Sequence, residues 1–326
     1  MIVSFFPEGL LAAVLCLFLL LSGCDTGTKH QDSPLQRFQA ELDELHRDYD
    51  FPGATAAFVL ADGTEGAVAT GLADVESGVR MEPDARMLAA SIGKTFVAAT
   101  VLSLEREGTL SLDDKLAVWL SGEAWLERLD NHSTITVRHL LNHSSGMGNH
   151  VDDPRFARLF ASNWSDAEFA PRPETLISYV LDQPSLFAPG QGWAYSDTGY
   201  LLLGLIIERA TGRSYYEEVS GRFLTPLGLS LTSPSNRHVL PGIVPGYMAE
   251  DNAFALPRKT TNAEQRMLWN PAIEWTGGGL ISNSLDLARW GTLLFEGQVM
   301  AGDYLDDLLL EMPVSADAPD LAYGAG

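Results

Sequence analysis

Ser91-Ile92-Gly93-Lys94 is the segment of this 326-residue sequence best suited to chemistry. On a helix, positions three apart share a face, so the Lys94 amine falls beside the Ser91 hydroxyl. A serine hydroxyl is a poor nucleophile until a neighbour takes its proton. An amine removed from water can take it, or can hold a partner base ionised. A helix start would also leave the Ser91 backbone N–H free for a developing oxyanion. Gly93-Lys94-Thr95 has the look of a phosphate loop, but Leu88 stands where that motif needs glycine.

Tyr195-Ser196-Asp197 is the second candidate. A phenol close to an ammonium gives up its proton more readily and can act as a general base. Asp197 also reads as the N-cap of the following helix. His139 and His143 are four apart, but H-E-x-x-H is absent and no third ligand is clear, so no metal site is expected. Trp275-Thr276-Gly277 contains a T-G pair and lies before a helix, and Lys259-Thr260-Thr261 lacks the glycine of a K-T-G motif. G-x-S-x-G does not occur, which argues against a nucleophile elbow.

The elements that must position these groups are legible in part. Leu35, Phe38, Leu42, Leu45 and Tyr49 form one helical stripe. Ala54 to Ala61 and Gly66 to Leu72, split by Asp62-Gly63, read as a β-hairpin. Ser91 to Arg106, Val137 to Asn142, Thr198 to Ala210 and Ser284 to Phe295 read as helices, with Gly212 closing the third of the four. His150 to Pro173 is interrupted by prolines and reads as an irregular surface insertion. The pattern predicts an α+β fold, a sheet domain with an inserted helical subdomain.

Composition narrows the function. Hydrophobic residues make up 46% of the chain and charged ones 20%, too apolar for disorder. The net charge of −22 disfavours nucleic acid as a partner, because its phosphates must be met by Lys and Arg. Two cysteines exclude a disulfide-dense scaffold. Leu10 to Leu21 is an apolar run too short to span a bilayer and suited to a secretory signal. It ends in Leu21-Ser22-Gly23-Cys24, which resembles a bacterial lipobox. Residues 1–23 are therefore expected to be a signal peptide, Cys24 the lipidated first residue, 24–34 a polar tether and 35–326 the folded domain. Asp25 after the cysteine resembles an inner-membrane retention signal. The expected location is the outer side of the cytoplasmic membrane.

Five segments in order carry a wider resemblance. Phe51-Pro52-Gly53-Ala54, the S-I-G-K helix, Ile135 to Met147, Phe187-Ala188-Pro189-Gly190 with Tyr195 to Tyr200, and Gly278-Gly279-Leu280-Ile281-Ser282 with Asp286 to Arg289 together resemble the class C β-lactamase and D-Ala-D-Ala carboxypeptidase family of serine hydrolases. The resemblance implies a β-lactamase/transpeptidase-like fold and an acyl-enzyme formed on Ser91. Lys94 and Tyr195 would move the proton, and Asp197 and Trp275 would lie against the substrate. It implies no cofactor and no metal. The substrate would be a small molecule or a peptidoglycan peptide: a D-Ala-D-Ala peptide, a β-lactam or an ester. Asp197 stands where the family usually has Asn. An ionised carboxylate only accepts hydrogen bonds, which tilts the expectation toward an esterase. The matched segments stop at Leu321 to Gly326, where the family's third motif, last strands and final helix would follow. A domain incomplete at that end is expected, and with it an alternative function, an envelope lipoprotein that keeps the fold without catalysis.

Overall fold

A computed structural model describes residues 32–166, 168–252, 256–315 and 318–326. The expected signal peptide and Cys24 lie outside the described residues. Among the described residues, no helix is long and apolar enough to cross a membrane.

Helix α1 (Pro34–Tyr49) starts at Ser33, which forms a capping box with Gln36 and is followed by proline at the first helical position. Its stripe is only partly covered. Leu42 is buried and Phe38 meets the Phe58 ring edge-on at 5.3 Å, whereas Leu35, Leu45 and Tyr49 are exposed. The predicted hairpin is present as β1 (Gly53–Val59) and β2 (Glu65–Asp74), antiparallel with Gly53 opposite Gly71. A short strand β3 (Val79–Arg80) completes a sheet of order β1-β2-β3.

A second sheet matters more to the site. Strand β4 (Met87–Leu88) and β5 (Ser233–Pro234) both pair antiparallel with β6 (Leu280–Ser282). Leu88 lies opposite Ile281, and the Ala89 N–H donates to the Leu280 carbonyl. This fastens the residues just before Ser91 to those just after the glycine run, 191 positions later in the chain for Ala89 and Leu280.

Helix α2 (Gly93–Arg106) is buried all round, with eleven of its fourteen residues out of solvent. A helix apolar on every face must lie inside the core. Around it stand α3 (Leu116–Leu120), α4 (Val137–Leu141), α5 (Pro154–Asn163), α6 (Pro173–Ile177), α7 (Asp197–Thr211) and α8 (Tyr215–Val219). Helix α7 is the second buried rod, closed by Gly212 in the left-handed conformation. Helix α9 (Ser284–Phe295) lies against β1, the short α10 (Leu305–Leu308) packs on α2, and β7 (Met312–Ser315) pairs with β8 (Ala318–Tyr323).

Three expectations need correction. Ser91 is not in the α-helix: it sits in a 3-10 turn, Ala90–Ile92, and the α-helix begins at Gly93. The stretch from His150 to Pro173 is not merely irregular. Pro154 starts α5 rather than breaking it, behind an Asp153 cap, and Phe156 and Phe160 enter the core. The N-cap of α7 is Ser196, whose hydroxyl accepts from the Gly199 N–H, and Asp197 is the first helical residue.

Candidate active site

The nucleophile position is set by the turn before α2. Ala90 has φ 47°, a left-handed conformation that costs a residue with a Cβ about 1–3 kcal/mol. The turn leaves the Ser91 side chain exposed at the mouth of a cavity. Its amide N–H has no backbone acceptor among the described residues. Backbone meets backbone just behind: a Cβ on Gly93 would come within 2.6 Å of the Gly278 carbonyl oxygen, and one on Gly278 within 2.5 Å of the Ala90 carbonyl oxygen. Glycine at both places lets the Gly277 carbonyl reach the side chain of Lys94.

Lys94 is fully buried. An ammonium has three N–H donors, and each has an acceptor here. One points to Ser91 Oγ at 3.3 Å, one to Asp197 Oδ1 at 2.6 Å, and one to the Gly277 carbonyl. The Tyr195 and Tyr200 rings lie 4.9 and 5.2 Å from Nζ, close enough for cation–π attraction. The Tyr195 hydroxyl donates to Ser91 Oγ at 2.8 Å. Ser91, Lys94, Tyr195 and Asp197 are thus brought together from a 3-10 turn, two helices and one loop.

His143 is a positioning residue that the metal reading passed over. It is buried, has φ 60°, and its ring stacks obliquely on Tyr195 at 4.3 Å. Nδ1 accepts the Ser196 N–H at 3.1 Å, so the loop carrying Tyr195 is held from both sides. Burial, helped by the Lys94 charge, pushes the imidazole down to about 3. The ring is therefore neutral at physiological pH, and with Nδ1 accepting, its proton is on Nε2. The His139 ring serves locally instead, accepting the Thr136 N–H at the start of α4. Among the described residues no cluster of metal-ligating side chains forms.

The cavity beside Ser91 has a volume of about 300 Å³, at the small end for ligand pockets. Its walls are mostly apolar, with Phe156 and Phe160 from α5, Leu201 from α7, and Met248 and Trp269 from the long loop before β6. The ionisable side chains among its lining residues are His150, Asp197 and Glu274. Burial pushes the Glu274 carboxyl up to about 7; the Asp197 charge adds to the shift and the Lys94 ammonium opposes it. Glu274 was not singled out from the sequence, although its place just before Gly277-Gly278-Gly279 offered a hint. Trp275 is not in the lining of this cavity. Its ring lies against Gly204 of α7, and it borders a neighbouring depression with Leu205 and Glu208. Lys259 is engaged elsewhere, paired with Asp74 and Glu76.

The sequence profile of the family described as Beta-lactamase matches residues 38–325. The chain belongs to the beta-lactamase family. Among curated relatives, this beta-lactamase-family protein is 33% identical over 160 residues to Penicillin-binding protein 4* of Bacillus subtilis, covering 48% of this chain and 32% of that protein. It is 34% identical over 198 residues to Esterase EstB of Burkholderia gladioli, covering 59% of this chain and 50% of the esterase. The chain thus matches half or less of the length of these relatives. Among solved structures, a D-stereospecific amidohydrolase from a Streptomyces species superposes with a TM-score of 0.74 at 28% identity, covering 88% of this chain and 81% of that one. These similarities establish a β-lactamase/transpeptidase-like α+β fold.

Proposed function

We propose that this protein is a serine hydrolase that works through an acyl-enzyme on Ser91. One observation carries the reading: the Ser91 hydroxyl, at the mouth of a cavity, is in contact with both the Tyr195 phenol and the Lys94 amine. With Tyr195 in its phenolate form beside the Lys94 ammonium, the phenolate takes the Ser91 proton as Oγ attacks the substrate carbonyl carbon, and the resulting phenol gives that proton to the leaving alcohol or amine as the scissile bond breaks. Water then attacks the acyl ester, its proton returns along the same route, and Ser91 is released. The Ser91 N–H, which has no backbone acceptor among the described residues, is available to the negative charge that develops on the tetrahedral intermediate, and such preorganised donors are a large part of catalysis. No step requires a cofactor or a metal.

Among substrates, an ester or amide without a carboxylate beside the scissile bond is favoured. Asp197 accepts but cannot donate, and a second acid, Glu274, shares the cavity. The relatives' names, a penicillin-binding protein, an esterase and an amidohydrolase, span the same chemistry. The lipobox supports tethering of the domain to the cell envelope through Cys24, so Cys24→Ala is expected to release the protein from membranes.

A fluorophosphonate probe tests the central reading. Wild type should label on one peptide containing Ser91, and Ser91→Ala should not label. Equal labelling of the two, or none in wild type, would instead favour a non-catalytic envelope protein.

A further inference from the structure

The charge inventory of the cavity is unbalanced. Asp197 is paired with Lys94, and Lys94 has no N–H to spare. His150 is engaged with the Thr198 hydroxyl at 2.9 Å, and burial holds its ring down to about 4, so it is neutral. Glu274 stands apart. Its carboxyl makes no ion pair or hydrogen bond among the described residues, and Oε2 is shut off from solvent. The nearby Tyr216 hydroxyl is also buried without a partner, and burial raises its phenol, so it brings no positive charge. A buried acid without a partner is costly, and the Lys94 ammonium, which acts against that cost, is already paired with Asp197. The missing cation would be supplied by the bound molecule.

Resting on the acyl-enzyme reading above, we propose that Glu274 is a specificity residue that binds a primary ammonium group on the acyl portion of the substrate, while the apolar walls take that portion's side chain. The favoured substrates are then esters or amides of amino acids with a free amino group and an apolar or aromatic side chain. The residue acts on binding of the acyl group, not on the proton transfers at Ser91.

Three methyl esters of one skeleton test this: phenylalanine methyl ester (both enantiomers), methyl 3-phenylpropionate, and N-acetylphenylalanine methyl ester. The pH is kept close to 7, where the amine still carries its proton and the Glu274 carboxyl, pushed up to about 7, is still partly ionised. For wild type, kcat/KM for one enantiomer of the amino ester should exceed that for the other two compounds by about 10- to 100-fold, the range of one charge-assisted hydrogen bond. In Glu274→Gln that ratio should collapse toward unity, and in Glu274→Asp part of it should remain. Because the readout is a ratio within each variant, a general loss of activity cancels. If Glu274→Gln does not fold, wild type alone still decides: 2-phenylethylammonium should slow fluorophosphonate labelling of Ser91, and 3-phenylpropionate should not. An acetylated or amine-free ester turned over as fast as the amino ester overturns the proposal. So does a ratio unmoved by Glu274→Gln, or a labelled enzyme that hydrolyses none of the three. Failure of wild type to label defeats the acyl-enzyme reading instead, so the two failures are distinguishable.

Discussion

The helical block around α2 and α7 and the β1-β2-β3 sheet are built to different standards of burial. In α2 and α7 together, twenty-one residues are buried. In β1 none is, and every residue of that strand is half-covered. The block encloses a buried ammonium, Lys94 with its three acceptors, at the end of a mostly apolar rod. The difference teaches where a demanding site can be kept. A buried ammonium is tolerated only where its partners cannot drift, because desolvation costs several kcal/mol if the geometry loosens. Close-packed helices supply that fixity, and a half-covered sheet does not.

The contrast can be broken most directly by truncating one apolar residue in each region. Leu102→Ala in fully buried α2 should lose about 2–5 kcal/mol. Phe58→Ala in β1 should lose only about 1–2 kcal/mol. Urea unfolding of both variants decides, and equal losses would erase the distinction.

Acid should attack the block through its histidines. His143 and His150 are held down to about 3 and about 4, against 6.5 for a free ring. Between those values the unfolded chain binds the extra protons. The contribution is therefore complete above about pH 6.5 and is lost as pH falls through the window toward 4 and 3. From pH 7 to pH 5 each ring should cost about 2 kcal/mol. Thermal melting across that range should show the fall, and His143→Gln should make it shallower. An unchanged pH slope in that variant would remove His143 from the account.

Gly278→Ala sharpens the comparison at the site itself. Its Cβ would run into the Ala90 carbonyl, costing about 1–3 kcal/mol and slowing Ser91 labelling. Gly122→Ala, with nothing within 4 Å, is the control and should stay within about 0.5 kcal/mol. The smallest effect is expected on the sheet side. Gly291 sits inside α9 with open space around it, so Gly291→Ala should stabilise by about 0.5–1 kcal/mol.

What could be read before folding was local. The S-x-x-K spacing is one helical turn, so Ser91 and Lys94 were neighbours whatever the rest of the chain did. The helix ends at Gly212 and Phe295 and the hairpin turn at Asp62-Gly63 likewise depend on residues a few positions apart. Errors came where two local signals competed. Within the Pro-interrupted stretch from His150 to Pro173, Pro154 starts a helix, and Ser196 rather than Asp197 caps α7.

Only the tertiary structure decided what else meets Ser91. Tyr195 reaches it from 104 positions away, and the Gly277 carbonyl reaches Lys94 from 183. That His143 braces Tyr195, that Glu274 enters the same cavity and that Trp275 turns away to α7 follow no sequence period. Those placements depend on long-range backbone approaches, such as Gly93 against Gly278, whose feasibility is a matter of shape rather than spacing. Periodicity fixes which face of an element is apolar, and packing alone fixes which other element that face will meet.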